Sequence, residues 1–212
     1  MRLDHVSYAV GPEGMEATSE RLAELLGEKP VEGGIHPRFG TTNMVLPLAH
    51  GQYVEIVQVL DHPASDKAPF GQAVRERSAA GGGWLGWVVA VDDITALEER
   101  LERSAVAGNR HRPDGSELRW RQVGVVGLRA DPQLPFFIQW ESGPDLHPSA
   151  DATGAVGLTG LEIAGDRARV ADWLGVDLGR ATWGLDLSWV PAEAAGGIRS
   201  VTFSTPDGPV RI

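Results

Sequence analysis

A carboxylate set inside an apolar strand is the feature of this sequence that most needs a chemical reason. In Tyr53-Val54-Glu55-Ile56-Val57, strand alternation puts Tyr53, Glu55 and Val57 on one face and Val54 and Ile56 on the other. Such a carboxylate is costly to bury unless a cation, a metal or a hydrogen-bond donor meets it. An ion pair with an arginine such as Arg121 is the structural explanation, and a place in an active site is the functional one. His5, on an N-terminal strand, can be a ligand, a general base or a hydrogen-bonded strand histidine. His36 and Asn43, in the polar run before Met44, are candidates to bind substrate, although Asn43 could equally fix the local backbone. Arg112 and Arg119 could hold a carboxylate, or be solvated or ion-paired. Trp84, Trp87, Trp120 and Trp140 could line an aromatic pocket or pack in the core. His50, His62, His111 and His147 sit in turn-like contexts and read as surface residues.

Composition narrows the chemistry. The 212 residues contain no Cys, which excludes disulfides, thiolate metal sites and cysteine nucleophiles. The net charge of −10, with no basic run, excludes nucleic acid and anionic membrane as expected partners. No apolar run approaches the roughly 18 residues of a membrane helix. The N-terminus lacks a signal-peptide pattern, so a cytoplasmic location is expected. Gly81-Gly82-Gly83 is followed by neither Lys nor Ser/Thr and is not a phosphate loop. No Gly-x-Ser-x-Gly hydrolase signature is present.

The elements that must position these residues repeat. Leu3–Val10 reads as a strand, Met15–Leu26 as a helix stopped by Gly27, and Met44–Leu48 and the Glu55 segment as strands joined by a turn at His50-Gly51-Gln52. A weaker strand, interrupted by Pro30, falls at Lys29–Gly34. After a connector with a short helix at Ala68–Arg77, the plan returns. Trp84–Val91 is a strand, Ile94, Leu97 and Leu101 mark a helix closed by Gly108, Asn109–Glu117 is polar, and Leu118–Leu128 and Pro135–Trp140 are strands. A third pass has a strand at Gly157–Ala164, a helix at Asp166–Leu174 stopped by Gly175, and strands at Trp183–Val190 and Ile198–Ser204.

These repeated βαβββ units, with Leu3-Asp4-His5-Val6 on a first strand and Tyr53-Val54-Glu55-Ile56 on a fourth, resemble the vicinal oxygen chelate superfamily. Gly33-Gly34-Ile35-His36-Pro37-Arg38-Phe39-Gly40-Thr41-Thr42-Asn43 is similar to a signature of its glyoxalase-like branch, as are Arg112-Pro113-Asp114-Gly115 and Pro135–Trp140. The resemblance implies an α+β fold in which paired βαβββ modules form a half-barrel around a cavity, with a third, partial unit. It divides the chain into a first module at 1–62, a connector and second module at 63–148, and a truncated unit at 149–212. It implies a lyase, isomerase or dioxygenase acting on a small molecule with adjacent oxygens. In that family a divalent metal polarises such oxygens.

Carried over residue by residue, the resemblance gives His5 and Glu55 as catalytic residues and metal ligands, with His36, Asn43, Gln139, Trp120 and Arg112 at the substrate. The second module departs from the pattern. Gly86 stands where His5 does, and Gln139 is matched to Glu55, so the ligand set is half erased and only His36 or Glu141 is left to complete it. That departure keeps a metal-free binding or sequestering protein as the alternative. The third unit carries Gly160 at the His5 position and reads as structural. Its sheet needs cover, from the second module or from another copy of the chain in a homodimer.

Overall fold

The structure is a computed structural model and describes residues 1–178, 184–192 and 196–212. Strand β1 (Arg2–Ala9) leads into helix α1 (Gly14–Leu26), which buries Leu22 and Leu26 and stops at Gly27, whose φ is 70°. Three strands follow: β2 (Val31–His36), β3 (Thr41–Leu48) and β4 (Gln52–Val59). The β3–β4 turn takes left-handed backbone at His50 and Gly51, with φ of 61° and 70°. The connector holds two short helices, α2 (Pro63–Lys67) and α3 (Pro69–Ala79), each opened by a proline where its missing N–H costs nothing.

The second pass is β5 (Gly83–Ala90), α4 (Thr95–Leu101), β6 (Val106–His111), β7 (Glu117–Val123), α5 (Gly127–Ala130) and β8 (Phe136–Trp140). Two sequence expectations fail here. Helix α4 ends at Glu102, in left-handed backbone with φ 51°, and Gly108 lies inside β6 rather than closing the helix. The reason for Gly108 is the ring of Trp120, which fills the space a Cβ would need. The strand expected over Leu118–Leu128 stops at Val123, because the chain turns into α5.

The two βαβββ modules pair around a cavity as expected, and their sheets also meet at both edges. The strand order β1-β4-β3-β2-β6-β7-β8-β5 runs round an eight-stranded closed barrel. One seam is the antiparallel pairing of β1 with β5 from Arg2–Ala90 to Ala9–Gly83, and the other is a single bridge from Ile35 to His111. Closure removes the sheet edges an open half-barrel would expose.

The third unit comprises β9 (Gly157–Ala164), α6 (Arg167–Leu174), β10 (Asp186–Val190), β11 (Gly197–Thr205) and β12 (Gly208–Arg211), with sheet order β10-β9-β11-β12. Trp183, expected to start a strand, lies outside the described residues. Asp166 caps α6 by accepting from the backbone of Ala168 at 2.7 Å. The sheet's apolar face is covered by the same chain's barrel. Trp173 stacks on Phe137 with ring centres 6.1 Å apart and donates its indole N–H to the Pro135 carbonyl at 2.7 Å. Phe203, fully buried, lies 6.3 Å from the Trp84 ring, whose indole N–H donates to the Ile212 carbonyl at 2.9 Å. Burying a side chain such as Phe203 contributes about 1.5–3 kcal/mol.

Candidate functional site

Four residues singled out in the sequence meet inside the barrel. Glu55 is 6% exposed, and each of its carboxylate oxygens accepts one hydrogen bond. Ser7 Oγ donates to Oε2 at 2.8 Å and Asn43 Nδ2 donates to Oε1 at 3.0 Å. These elements are neighbours because β4 lies between β1 and β3, which puts Ser7 opposite Glu55 on one side and Val45 on the other. Two imidazoles stand slightly farther off: His5 Nε2 lies 4.0 Å from Oε2 and His36 Nε2 lies 3.8 Å from Oε1. No arginine pairs with Glu55 among the described residues, and Arg121 instead reaches Glu98 at 2.7 Å.

Each imidazole is held from behind. His5 Nδ1 lies 3.0 Å from Asp4 Oδ2, and its ring stacks on Tyr53 at 4.3 Å. Adjacent strand residues normally face opposite ways. Here the pairing of β1 with β5 shifts register between Leu3 and His5, and this irregularity lets Asp4 reach its neighbour's ring. Asp4 is fully buried and also receives Arg2 at 2.9 Å, His147 Nε2 at 3.2 Å and Trp140 Nε1 at 3.3 Å. Burial alone would raise its pKa. The hydrogen bonds and charges of His147 and His5 outweigh that and hold the carboxyl well below its usual range. An ionised Asp4 accepts only, so His5 donates through Nδ1 and turns Nε2 to the cavity.

His36 Nδ1 lies 2.9 Å from Thr41 Oγ1. Burial pushes the His36 imidazole down to about 4, against the opposing pull of Glu55, so the ring is neutral at pH 7. The nearby carboxylate favours the tautomer with its proton on Nε2. Tyr53 keeps its proton, since burial raises its pKa well above the ordinary value.

The cavity these groups face has a volume of about 30 Å³ and is walled by Phe39, Phe70, Trp120, Phe136, Ile138 and Trp140. Trp140 also borders an outer hollow of about 400 Å³ with His147 and Ser149. Trp120 donates its indole N–H to Gln122 Oε1 at 2.8 Å.

Two expected site residues fall elsewhere. Gln139 points away from the cavity and accepts the Ile94 backbone N–H at 3.0 Å, at the start of α4. Both halves set parallel partners 48 residues apart, His5 with Tyr53 and Val88 with Phe136. Carrying the match of Ala9 to Ala90 through that spacing puts Phe136, not Gln139, at the position of Glu55. Arg112 sits at the turn with its Nε 4.0 Å from Asp114, and Arg110, one alternation earlier, faces the cavity instead. Asn43 does not line the cavity directly; it acts there through Glu55, its other amide atom packed against Gly33. Glu141 is exposed. His147, expected on the surface, is tied to Asp4.

The donor set does not fit the metal the resemblance implies. Among the described residues no group of three or more His, Asp or Glu side chains could hold a metal ion. The positions related to His5 and Glu55 are Gly86 and Phe136, which offer no donor, and the Arg110 cation faces the same space.

An eight-stranded barrel built from two βαβββ modules, with paired inward residues on the first and fourth strands, places the chain in the vicinal oxygen chelate superfamily. Within it, residues 3–179 match the glyoxalase-like domain family, and the chain belongs to that family. A hypothetical protein from Staphylococcus aureus shares the fold with a TM-score of 0.64 at 16% identity, over 99% of this chain and 84% of that one. Methylmalonyl-CoA epimerase from Mycobacterium tuberculosis aligns with a TM-score of 0.45 at 19% identity, over 68% of this chain and 90% of that one. No curated protein matches the sequence. No helix among the described residues is long and apolar enough to cross a membrane.

Proposed function

We propose that the chain is a small-molecule enzyme that moves a proton at a carbon next to a carbonyl, on a substrate with adjacent oxygens. The observation that carries this reading is Glu55: a buried carboxylate, fixed by Ser7 and Asn43, with two histidine Nε2 atoms at 4.0 and 3.8 Å. Each oxygen accepts one hydrogen bond and keeps a further lone pair, so Glu55 can take a proton without losing its supports. The C–H electron pair moves to the substrate oxygen and gives an enediolate. The neutral His36 N–H can donate to that oxygen. His5, oriented by Asp4, can accept the proton from Glu55 or return it to the neighbouring carbon. Isomerase and lyase outcomes share this step. Because the donor set does not suit a divalent ion, no step here passes through one.

The aromatic wall of Phe39, Phe70, Trp120 and Phe136 supports a second reading, a protein that binds and sequesters such a compound without turning it over. One experiment separates them. The full chain is incubated in D2O with small 2-hydroxy and 2-oxo compounds, and the loss of carbon-bound protons is followed by NMR. Proton transfer predicts exchange by the wild type that Glu55→Gln abolishes. Saturable binding with no exchange across the panel would leave only sequestration.

A further inference from the structure

We propose that Arg110 makes the cavity a binding site for the carboxylate of a compact organic acid. This inference rests on the proton-transfer reading, since it names the substrate class of the same cavity. Arg110 is 4% exposed, lines the cavity from β6, and its Nε is buried with no hydrogen-bond partner. Among the described residues no carboxylate lies within ion-pair distance of it, whereas Arg2, Arg75, Arg119, Arg121, Arg129 and Arg211 each have one. An unpaired buried charge is strongly destabilising, so a cation kept in this place calls for an anion.

The surroundings select the anion. Burial pushes the Arg110 pKa down, while Tyr53 and Glu55 oppose the shift, so the fold itself only partly compensates the charge. The guanidinium fork matches the two oxygens of a carboxylate. Gln122, which also lines the cavity, has its amide oxygen occupied by the Trp120 indole N–H and so offers amide N–H groups as further donors. The aromatic walls exclude water and strengthen a charge pair relative to the surface. The volume of about 30 Å³ restricts the enclosed part to a few atoms. Two outer hollows adjoin the cavity to take any longer substituent, one bordered by Trp140 and the other by Phe39, Phe70 and Gln122. A carboxylate held by Arg110 would place the adjacent oxygen-bearing carbon in the same cavity as Glu55, which is the geometry the proposed proton transfer needs.

The test is calorimetric titration of the full chain with glycolate and with its neutral isostere glycolamide. Wild type should prefer glycolate by about tenfold or more, the usual strength of hydrogen bonds to a charged group. Arg110→Met, checked for folding by its melting curve, should lose that preference. Glu55→Gln should keep it or increase it, since it removes a negative charge. If Arg110→Met does not fold, Arg110→Lys, which keeps the charge without the fork, should show a reduced preference. Equal affinity for the two ligands, a preference that survives Arg110→Met, or binding of neither at millimolar concentration would overturn the proposal. Selective glycolate binding without proton exchange would uphold this site and reject the proton-transfer reading. Exchange of neutral compounds that is indifferent to Arg110→Met would do the reverse.

Discussion

Where β4 turns Tyr53 and Glu55 into the barrel, β8 turns Phe136 and Ile138. Where β1 offers His5 and Ser7, β5 offers Val88 and the bare backbone of Gly86. The halves share one strand plan, yet among the described residues the His, Glu and Tyr side chains that line the cavity all come from the first. The second contributes aromatic walls and one cation. A duplicated fold therefore does not require duplicated chemistry. Pairing and outward packing preserve the architecture, while the inward positions are free to diverge.

The largest expected effect comes from removing the carboxylate on which that contrast turns. Glu55→Gln should lower proton exchange by about a thousandfold, within the range for general base catalysis, and leave the far-UV spectrum unchanged. A variant retaining most of the exchange would place the base outside the first half. The next effect is on stability. His36 is held near 4 in the fold and has an ordinary pKa near 6.5 when unfolded, so the unfolded chain binds more protons between those values. Its contribution is complete above about pH 6.5 and falls by roughly 3 kcal/mol as the pH drops to 4. Melting temperature measured across this window should decline, and His36→Gln should flatten the decline. A decline unchanged by that substitution would assign it to another group.

Asp4→Asn sharpens the comparison by leaving every cavity group in place while freeing the His5 tautomer. Exchange should fall by about tenfold to a hundredfold, and the ¹⁵N shifts of His5 should show its proton no longer held on Nδ1. Wild-type shifts would show Asp4 to be only structural. The smallest effect belongs to the wall. Gly108→Ala sets a Cβ against the Trp120 ring and should cost about 1–3 kcal/mol in denaturant unfolding, with a shifted tryptophan emission. Unchanged emission would show that the ring has room to move.

The same contrast explains what the sequence made legible. Glu55 stands out because it is the one charged residue in the apolar segment Tyr53–Val57, and His5, His36 and Asn43 fall at places that suit a first module. In the second half the alternation is hidden. Strand β8 is apolar on both faces, since Phe137 packs on Trp173 outside the barrel while Phe136 and Ile138 pack within, so the sequence carries no marker of which face Gln139 takes. Arg112 is the residue the Arg112-Pro113-Asp114-Gly115 motif points to, and Val106–His111 has no clear alternation that marks Arg110 as facing inward. Asp4 carries no signal in the sequence because neighbours on a regular strand diverge, and the register shift beside it depends on pairing with β5. His147 has its partner 143 residues away, beyond any local pattern.

The unequal seams of the barrel carry a mechanical consequence. A hoop with one thin joint does not share a strain evenly; it gives way at the joint. Along β1 and β5 the staves are laced from end to end, whereas β2 and β6 are fastened only at Ile35 and His111. There Gly34 lets the His111 carbonyl come so near that no side chain would fit. Swelling of the lumen around a larger guest would be taken up at this fastening. His36, one residue away, would ride on the moving stave, while His5 and Glu55 stayed on the rigid ones.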